Sequence, residues 1–212
     1  PVLYDNACEI FKDTNVKVTA EGVCMLGCPI GSVSFVENTI GKKVEMWYKK
    51  LRALAGIALS QPQSAYCAFT HGLFGEWTYL FRTVDVDEKL LLPLEDCLRQ
   101  VLIPALLGKD CLNDLDRDLL ALPTRCGGLG LHNPLSFYKS QRTASKLCVR
   151  PLVDVLLDDR VDLPCEVIES MTRLRKECLK VKECDYKSCM SRIRSELPPE
   201  RLRLFEVSIE KG

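Results

Sequence analysis

The chain has 212 residues, 47% hydrophobic and 27% charged, an ordinary globular composition that excludes a disordered chain. Its longest uninterrupted apolar run, from Val101 to Gly108, is far short of the ~18 residues a membrane span needs, so no membrane partner is expected. The 29 basic and 29 acidic residues cancel, and no whole-molecule field draws the chain toward polyanions.

The predicted elements begin with a β-hairpin. Val16 to Ala20 reads as one strand, Glu21-Gly22 as a turn, and Val23 to Leu26 as the returning strand, closed by Gly27, Pro29 and Gly31. Ser34 then opens a long helix in which Val36, Ile40, Val44, Trp47, Leu51, Leu54 and Ala58 recur at helical spacing. Gln61-Pro62 breaks it, and Tyr66, Phe69, Leu73, Trp77 and Leu80 mark a second helix packed stripe to stripe on the first. A third pattern of Leu91, Leu94, Leu98 and Val101 ends near Pro104, and Asn113 or Asp114 caps a short helix to Ala121.

Residues 122–131 are the most irregular part of the chain. Gly127, Gly128 and Gly130 permit positive φ there and let the backbone approach something closely. Asn133-Pro134 starts a further helix through about Val149. Beyond Arg150 the chain is richer in charge, with weaker periodicity from Leu163 to Ser195, and Pro198-Pro199 opens a last helix. The predicted fold is mainly α, a short N-terminal hairpin followed by an antiparallel helical bundle and a helical linker. Its segments are 1–33, 34–121, 122–150 and 151–212.

The chain opens on Pro1 with no starting Met and no basic-then-apolar leader. We expect a processed or partial product, intracellular, in nucleus or cytoplasm. Its twelve dispersed cysteines then read as reduced thiols, several on apolar faces. Cys24 and Cys28, and the trio Cys178, Cys184 and Cys189, contain no C-x₂-C pair, so thiols are expected rather than a zinc site. Asp114, Asp116 and Asp118 alternate like a calcium loop but place Leu119 and Arg125 where Gly and Glu are needed. His71 lies in an aromatic helix and is expected to be packed, and neither it nor His132 has a nucleophile context. Asp158-Asp159, in a helical setting, reads as surface acids rather than a polymerase metal pair.

Basic residues give the stronger signal. Asp85 to Leu120 carries nine acidic and four basic residues, whereas Pro134 to Arg150 carries four basic and no acidic ones. Those four, Lys139, Arg142, Lys146 and Arg150, share one helix face, a rod of cations able to track phosphates. Lys42, Lys43, Lys49 and Lys50 form a second cationic surface, although Glu45 can pair with Lys49 one turn away.

Several motifs follow one another in a fixed order: Glu21-Gly22; Leu26 to Ser32; Lys43-Val44 with Trp47; Gln61 to Phe69; His71-Gly72-Leu73; Trp77 to Leu80 with Arg82-Thr83; and Leu122 to Leu131 before Asn133-Pro134. The set, within residues 21–153, resembles the C-terminal part of reverse transcriptases from non-long-terminal-repeat retroelements. Glu210-Lys211-Gly212 looks like the start of a further motif of that family. The resemblance implies a thumb and post-thumb linker that position an RNA template with its RNA–DNA or DNA primer duplex. It implies a primer-grip-like hairpin at Leu26, Gly27 and Gly31, and Arg125 with its glycines approaching the duplex. It also implies an upstream palm and fingers of the same polyprotein. Magnesium is expected for the parent polymerase and no cofactor for this chain, because the aromatic-x-Asp-Asp motif matches no position. No catalytic residue carries over. The alternative is a non-enzymatic helical scaffold or interaction protein from a decayed or domesticated element.

Overall fold

Helical hydrogen bonding runs through most of the chain in the computed structural model, which describes residues 2–108, 113–158 and 164–211. Helix α1 (Val2–Ile10) precedes an antiparallel pair of strands, β1 (Gly22–Met25) and β2 (Cys28–Gly31), with Val23 opposite Ile30. The hairpin lies later than its pattern predicts. Residues 16–20 form no strand, and the turn is Leu26-Gly27 rather than Glu21-Gly22. Both turn residues take positive φ, 50° and 80°, as a two-residue loop matching the strand twist requires. Val16 and Val18 carry β propensity, but pairing decides a strand.

Helix α2 (Val33–Ala58) starts two residues before the expected cap Ser34 would allow. Its cap is Ser32, whose side chain accepts from the Phe35 amide. Its predicted stripe points inward, with Ile40, Val44, Trp47, Leu51 and Ala58 buried. Opposite lies a second rod: α3 (Pro62–Cys67), a π-helical stretch (Ala68–Leu73) and α4 (Phe74–Thr83). Trp47 and Trp77 meet between the rods with ring centroids 5.9 Å apart, and Phe69 stands edge-on to Trp77 at 5.6 Å. Such contacts add to the large burial each aromatic ring already contributes. The Trp47 indole N–H donates to Glu76 Oε2 at 2.8 Å, whereas that of Trp77 is buried with no acceptor among the described residues.

The third rod comprises a 3₁₀ turn (Glu88–Leu91), α5 (Leu92–Cys97), a π-helical stretch (Leu98–Leu102) and α6 (Ile103–Leu107), closed by Gly108 at φ 62°. Pro104 does not end the helix. It sits in the first turn of α6, where a missing N–H is tolerated. Helix α7 (Asp114–Ala121) is capped by Asn113, whose Oδ1 accepts from the Asp116 amide at 2.7 Å.

Helix α8 (Pro134–Leu157) runs past the predicted end at Val149 and through Pro151. Helix α9 (Cys165–Glu196) is a single rod of 32 residues and α10 (Pro199–Lys211) folds back after Pro198. Periodicity in α9 is weak because Ile193 alone of its residues is fully buried. The larger core extends from Ile40 to Tyr138, and a smaller one joins Leu122 and Cys126 to Ile193, Leu197 and Phe205. Among the described residues the cysteines are free thiols, and no helix is long and apolar enough to cross a membrane.

Candidate nucleic-acid interface

Helix α8 is anchored by Phe137, Tyr138, Gln141 and Cys148, all buried, so its intervening residues project to two flanks. On one flank the predicted cations meet the acidic segment between α4 and α5. Arg142 forks onto Asp85, Nε to Oδ1 at 2.9 Å and Nη2 to Oδ2 at 2.8 Å, and its Nη1 donates to the Arg82 carbonyl at 2.8 Å. Lys146 also reaches Asp85, at 2.7 Å, and Lys139 reaches Glu88 at 2.9 Å. The Arg142 hydrogen bonds, with help from Lys146, outweigh partial burial and hold the Asp85 carboxyl well below the usual carboxylate range. Arg150 is exposed and in no ion pair among the described residues.

The cationic surface of α2 divides similarly. Lys49 pairs with Glu45 at 2.7 Å, as its spacing predicts, and Lys50 with Glu76 at 2.7 Å. Burial raises the Glu76 carboxyl, but hydrogen bonds from Lys50 and Trp47 outweigh it and leave the group lowered. Lys42 and Lys43 enter no ion pair among the described residues.

The glycine loop makes its close approach within the molecule. A Cβ on Gly128 would lie 2.1 Å from the Leu122 carbonyl oxygen. Gly127, at φ 80°, leaves room for α10, where a Cβ would meet Ser208 Oγ at 2.6 Å. The loop is tied back by Gly130 N–H to the Leu122 carbonyl at 2.7 Å and by the Tyr66 hydroxyl to the Leu129 carbonyl at 2.7 Å. Arg125 pairs with Glu183 at 2.7 Å and lies over the Tyr186 ring at 5.6 Å, docking the loop onto α9.

At the hairpin, Leu26 is 89% exposed and its carbonyl accepts from the Tyr79 hydroxyl at 2.7 Å. Gly27 faces the Tyr79 ring, and Gly31 sits opposite Gly22 where a Cβ would strike the Glu21 carbonyl at 2.3 Å. Val23, Met25 and Ile30 are exposed on the strands, as is Val33 just beyond them at the start of α2.

The remaining chemical candidates have structural surroundings. His71 is exposed rather than packed, because the π-helical turn points it outward. His132 stacks on Phe137 at 5.1 Å, where burial first, then the charges of Lys182 and Arg117, push its pKa down to about 4. The α7 acids each meet an arginine: Asp114 with Arg99 at 2.6 Å, Asp118 with Arg192 at 2.5 Å, and Asp116 with Arg201. Asp158 caps α8, and Asp159 lies outside the described residues. Among the described residues no group of three His, Cys, Asp or Glu side chains is placed to hold a metal ion.

On the other flank of α8 lies a feature the sequence patterns miss. A cleft of about 450 Å³ opens between α8 and α9, with Arg82, Arg175 and Lys182 on its walls and the Ser140 and Ser145 residues beside them. Arg175, Cys178 and Lys182 fall three and four residues apart, a signal visible in the sequence but hidden among the mixed charges of α9. No family model, no curated protein and no solved structure matches this chain.

Proposed function

We propose that this chain is the thumb and post-thumb linker of a retroelement RNA-directed DNA polymerase, which binds and positions a template–primer duplex through its backbone. The observation that carries the reading is the ordered motif set from Glu21 to Pro134. Two features of the fold support it. Helical rods joined by a short turn at Gln61 give the stiff paddle that such a grip needs. The exposed apolar tip of the hairpin offers a seat for an upstream palm of the same polyprotein, since apolar patches of this kind mark contact surfaces.

In this role Lys42, Lys43, Arg150 and the α8 cations neutralise phosphates, and binding falls steeply with salt as counterions are released. Sequence would be read elsewhere, because phosphate contacts position without specifying. The palm aspartates that would hold magnesium match no position here, so the chain is assigned duplex binding and no phosphoryl transfer. The test is binding of a labelled RNA–DNA primer–template to the folded chain across ~50 to 200 mM salt. Micromolar affinity with a steep salt slope is expected, and no binding at low salt by a folded chain overturns the reading.

One observation favours the second reading, a helical scaffold from a decayed element. Lys139, Arg142 and Lys146 are already matched by Asp85 and Glu88. A scaffold predicts a folded chain with no measurable duplex affinity.

A further inference from the structure

We propose that the cleft between α8 and α9 is a phosphate-binding site that holds successive phosphates of a nucleic-acid strand; the identification of the strand rests on the duplex-binding reading above. Three cations line the cleft, Arg82, Arg175 and Lys182, and no carboxylate does. None of the three enters an ion pair among the described residues, in contrast to Arg142 and Lys146 on the opposite flank.

Two of these cations are prepositioned. Arg82 donates from Nε to Gln141 Oε1 at 2.7 Å, which fixes the plane of its guanidinium while leaving its other nitrogens uncommitted among the described residues. Lys182 lies over the rings of Phe137 and Tyr186, at 5.8 and 5.6 Å, and is half-buried. Ring faces attract a cation but do not replace a counter-anion for a charge partly withdrawn from water. Burial, then the charges of Lys182 and Arg117, keep the nearby His132 neutral.

Geometry selects a strand over a lone ion. The α8 wall, from Ser140 to Val149, spans ~14 Å at 1.5 Å per residue. Arg175 and Lys182 are two turns apart on α9, ~10 Å along the helix, whereas one strand of a duplex repeats about every 3.4 Å along its axis. Cations at that separation match different phosphates of one backbone. The forked guanidiniums suit paired phosphate oxygens, and the Ser140 and Ser145 hydroxyls supply neutral donors between them.

The cleft also carries its own reporter. Cys178 lines it half-buried, while Cys184 is exposed on the same helix and outside the cleft. Alkylation of the full chain by iodoacetamide, mapped by peptide mass, therefore reads occupancy directly. We expect the RNA–DNA primer–template to slow modification of Cys178 severalfold and to leave Cys184 unchanged. The double variant Arg175→Gln, Lys182→Gln should keep its unfolding midpoint. It should lose about sixtyfold in duplex affinity at 0.1 M salt, about eightfold per cation, and flatten the salt slope by ~2.

Full duplex binding by the wild type with unprotected Cys178 and an unchanged slope in the variant would overturn the cleft assignment and leave the duplex-binding role standing. Absence of duplex binding by the folded wild type would overturn that role and the strand with it. Inorganic pyrophosphate is the third probe: protection of Cys178 by it in that case supports a free-phosphate site, and no protection removes the site altogether.

Discussion

The two flanks of α8 differ in electrostatics although they belong to one helix: one has its cations paired with carboxylates, the other does not. On the first, Lys139, Arg142 and Lys146 are matched by Asp85 and Glu88 from the α4–α5 connection. On the second, Ser140, Gln141 and Ser145 carry no charge, yet Arg82 and two residues of α9 bring to them three cations that are unmatched among the described residues. The flank with the charges in sequence has the fewer to offer a ligand. Available charge is a property of what packs alongside a helix.

Both flanks depend on the seat of α8. Arg117 is 4% exposed, pairs with Glu95 through two hydrogen bonds of 2.7 and 2.6 Å, and donates to the Leu131 carbonyl just before α8. Arg117→Met leaves Glu95 nearly buried without a partner, and chemical denaturation should show a loss of about 3–5 kcal/mol. Both flanks should then fail together, seen as loss of all duplex binding.

Next in size is the pH response of the unmatched flank. The His132 pKa is about 4 in the folded chain, below the ordinary ~6.5 of the unfolded one. Well above pH 6.5 the imidazole is neutral in both states and contributes no pH dependence. Between pH 6.5 and 4 the unfolded chain takes a proton that the folded chain refuses, so stability falls as pH drops, by up to about 3 kcal/mol. His132→Gln should flatten that decline in urea titrations. Lys182→Met should move the His132 titration, followed by NMR, back upward.

A gain of function would sharpen the contrast. Asp85→Asn with Glu88→Gln releases Lys139, Arg142 and Lys146; the exposed Lys139 and Lys146 pairs should each cost under about 1 kcal/mol of stability, and the forked pair of the mostly buried Arg142 more than either. If the first flank faces the duplex, affinity rises and the salt slope steepens by ~1 for each freed cation that meets a phosphate. An unchanged slope would assign that flank to holding α8 in place. The smallest effect is expected at Lys49→Gln, where one exposed one-turn pair with Glu45 is lost. Its unfolding free energy should shift by about 0.3–0.5 kcal/mol.

Legibility of the fold followed the range of the interactions. The α2 stripe is readable because Ile40, Val44, Trp47 and Leu51 all turn to the core over several turns. The Asn113 cap and the Glu45–Lys49 pair were readable because each spans a single turn. The hairpin register was not, since Val16 and Val18 carry the propensity while Leu26-Gly27 carries the turn geometry. Pro104 reads as a helix end but sits in the first turn of α6, and the end expected near Val149 is passed because α8 runs on through Pro151. In α9 a narrow contact stripe on a long solvated rod leaves only weak helical periodicity, which marks a helical region without its exact bounds.

Local pattern is enough for a mainly helical chain, the inward stripe of α2 with its opposing aromatic rod, and glycine in the loop after α7. These depend on periodicity and on backbone geometry, which neighbouring residues settle among themselves. Tertiary structure alone decided which cations are matched: Arg142 meets Asp85 across 57 positions and Arg125 meets Glu183 across 58. It also decided that the loop glycines serve contacts with α7 and α10, and that α9 lays Arg175 and Lys182 along α8. Coulomb interactions act through space, and a linear pattern carries no record of which distant side chains the fold will bring within reach.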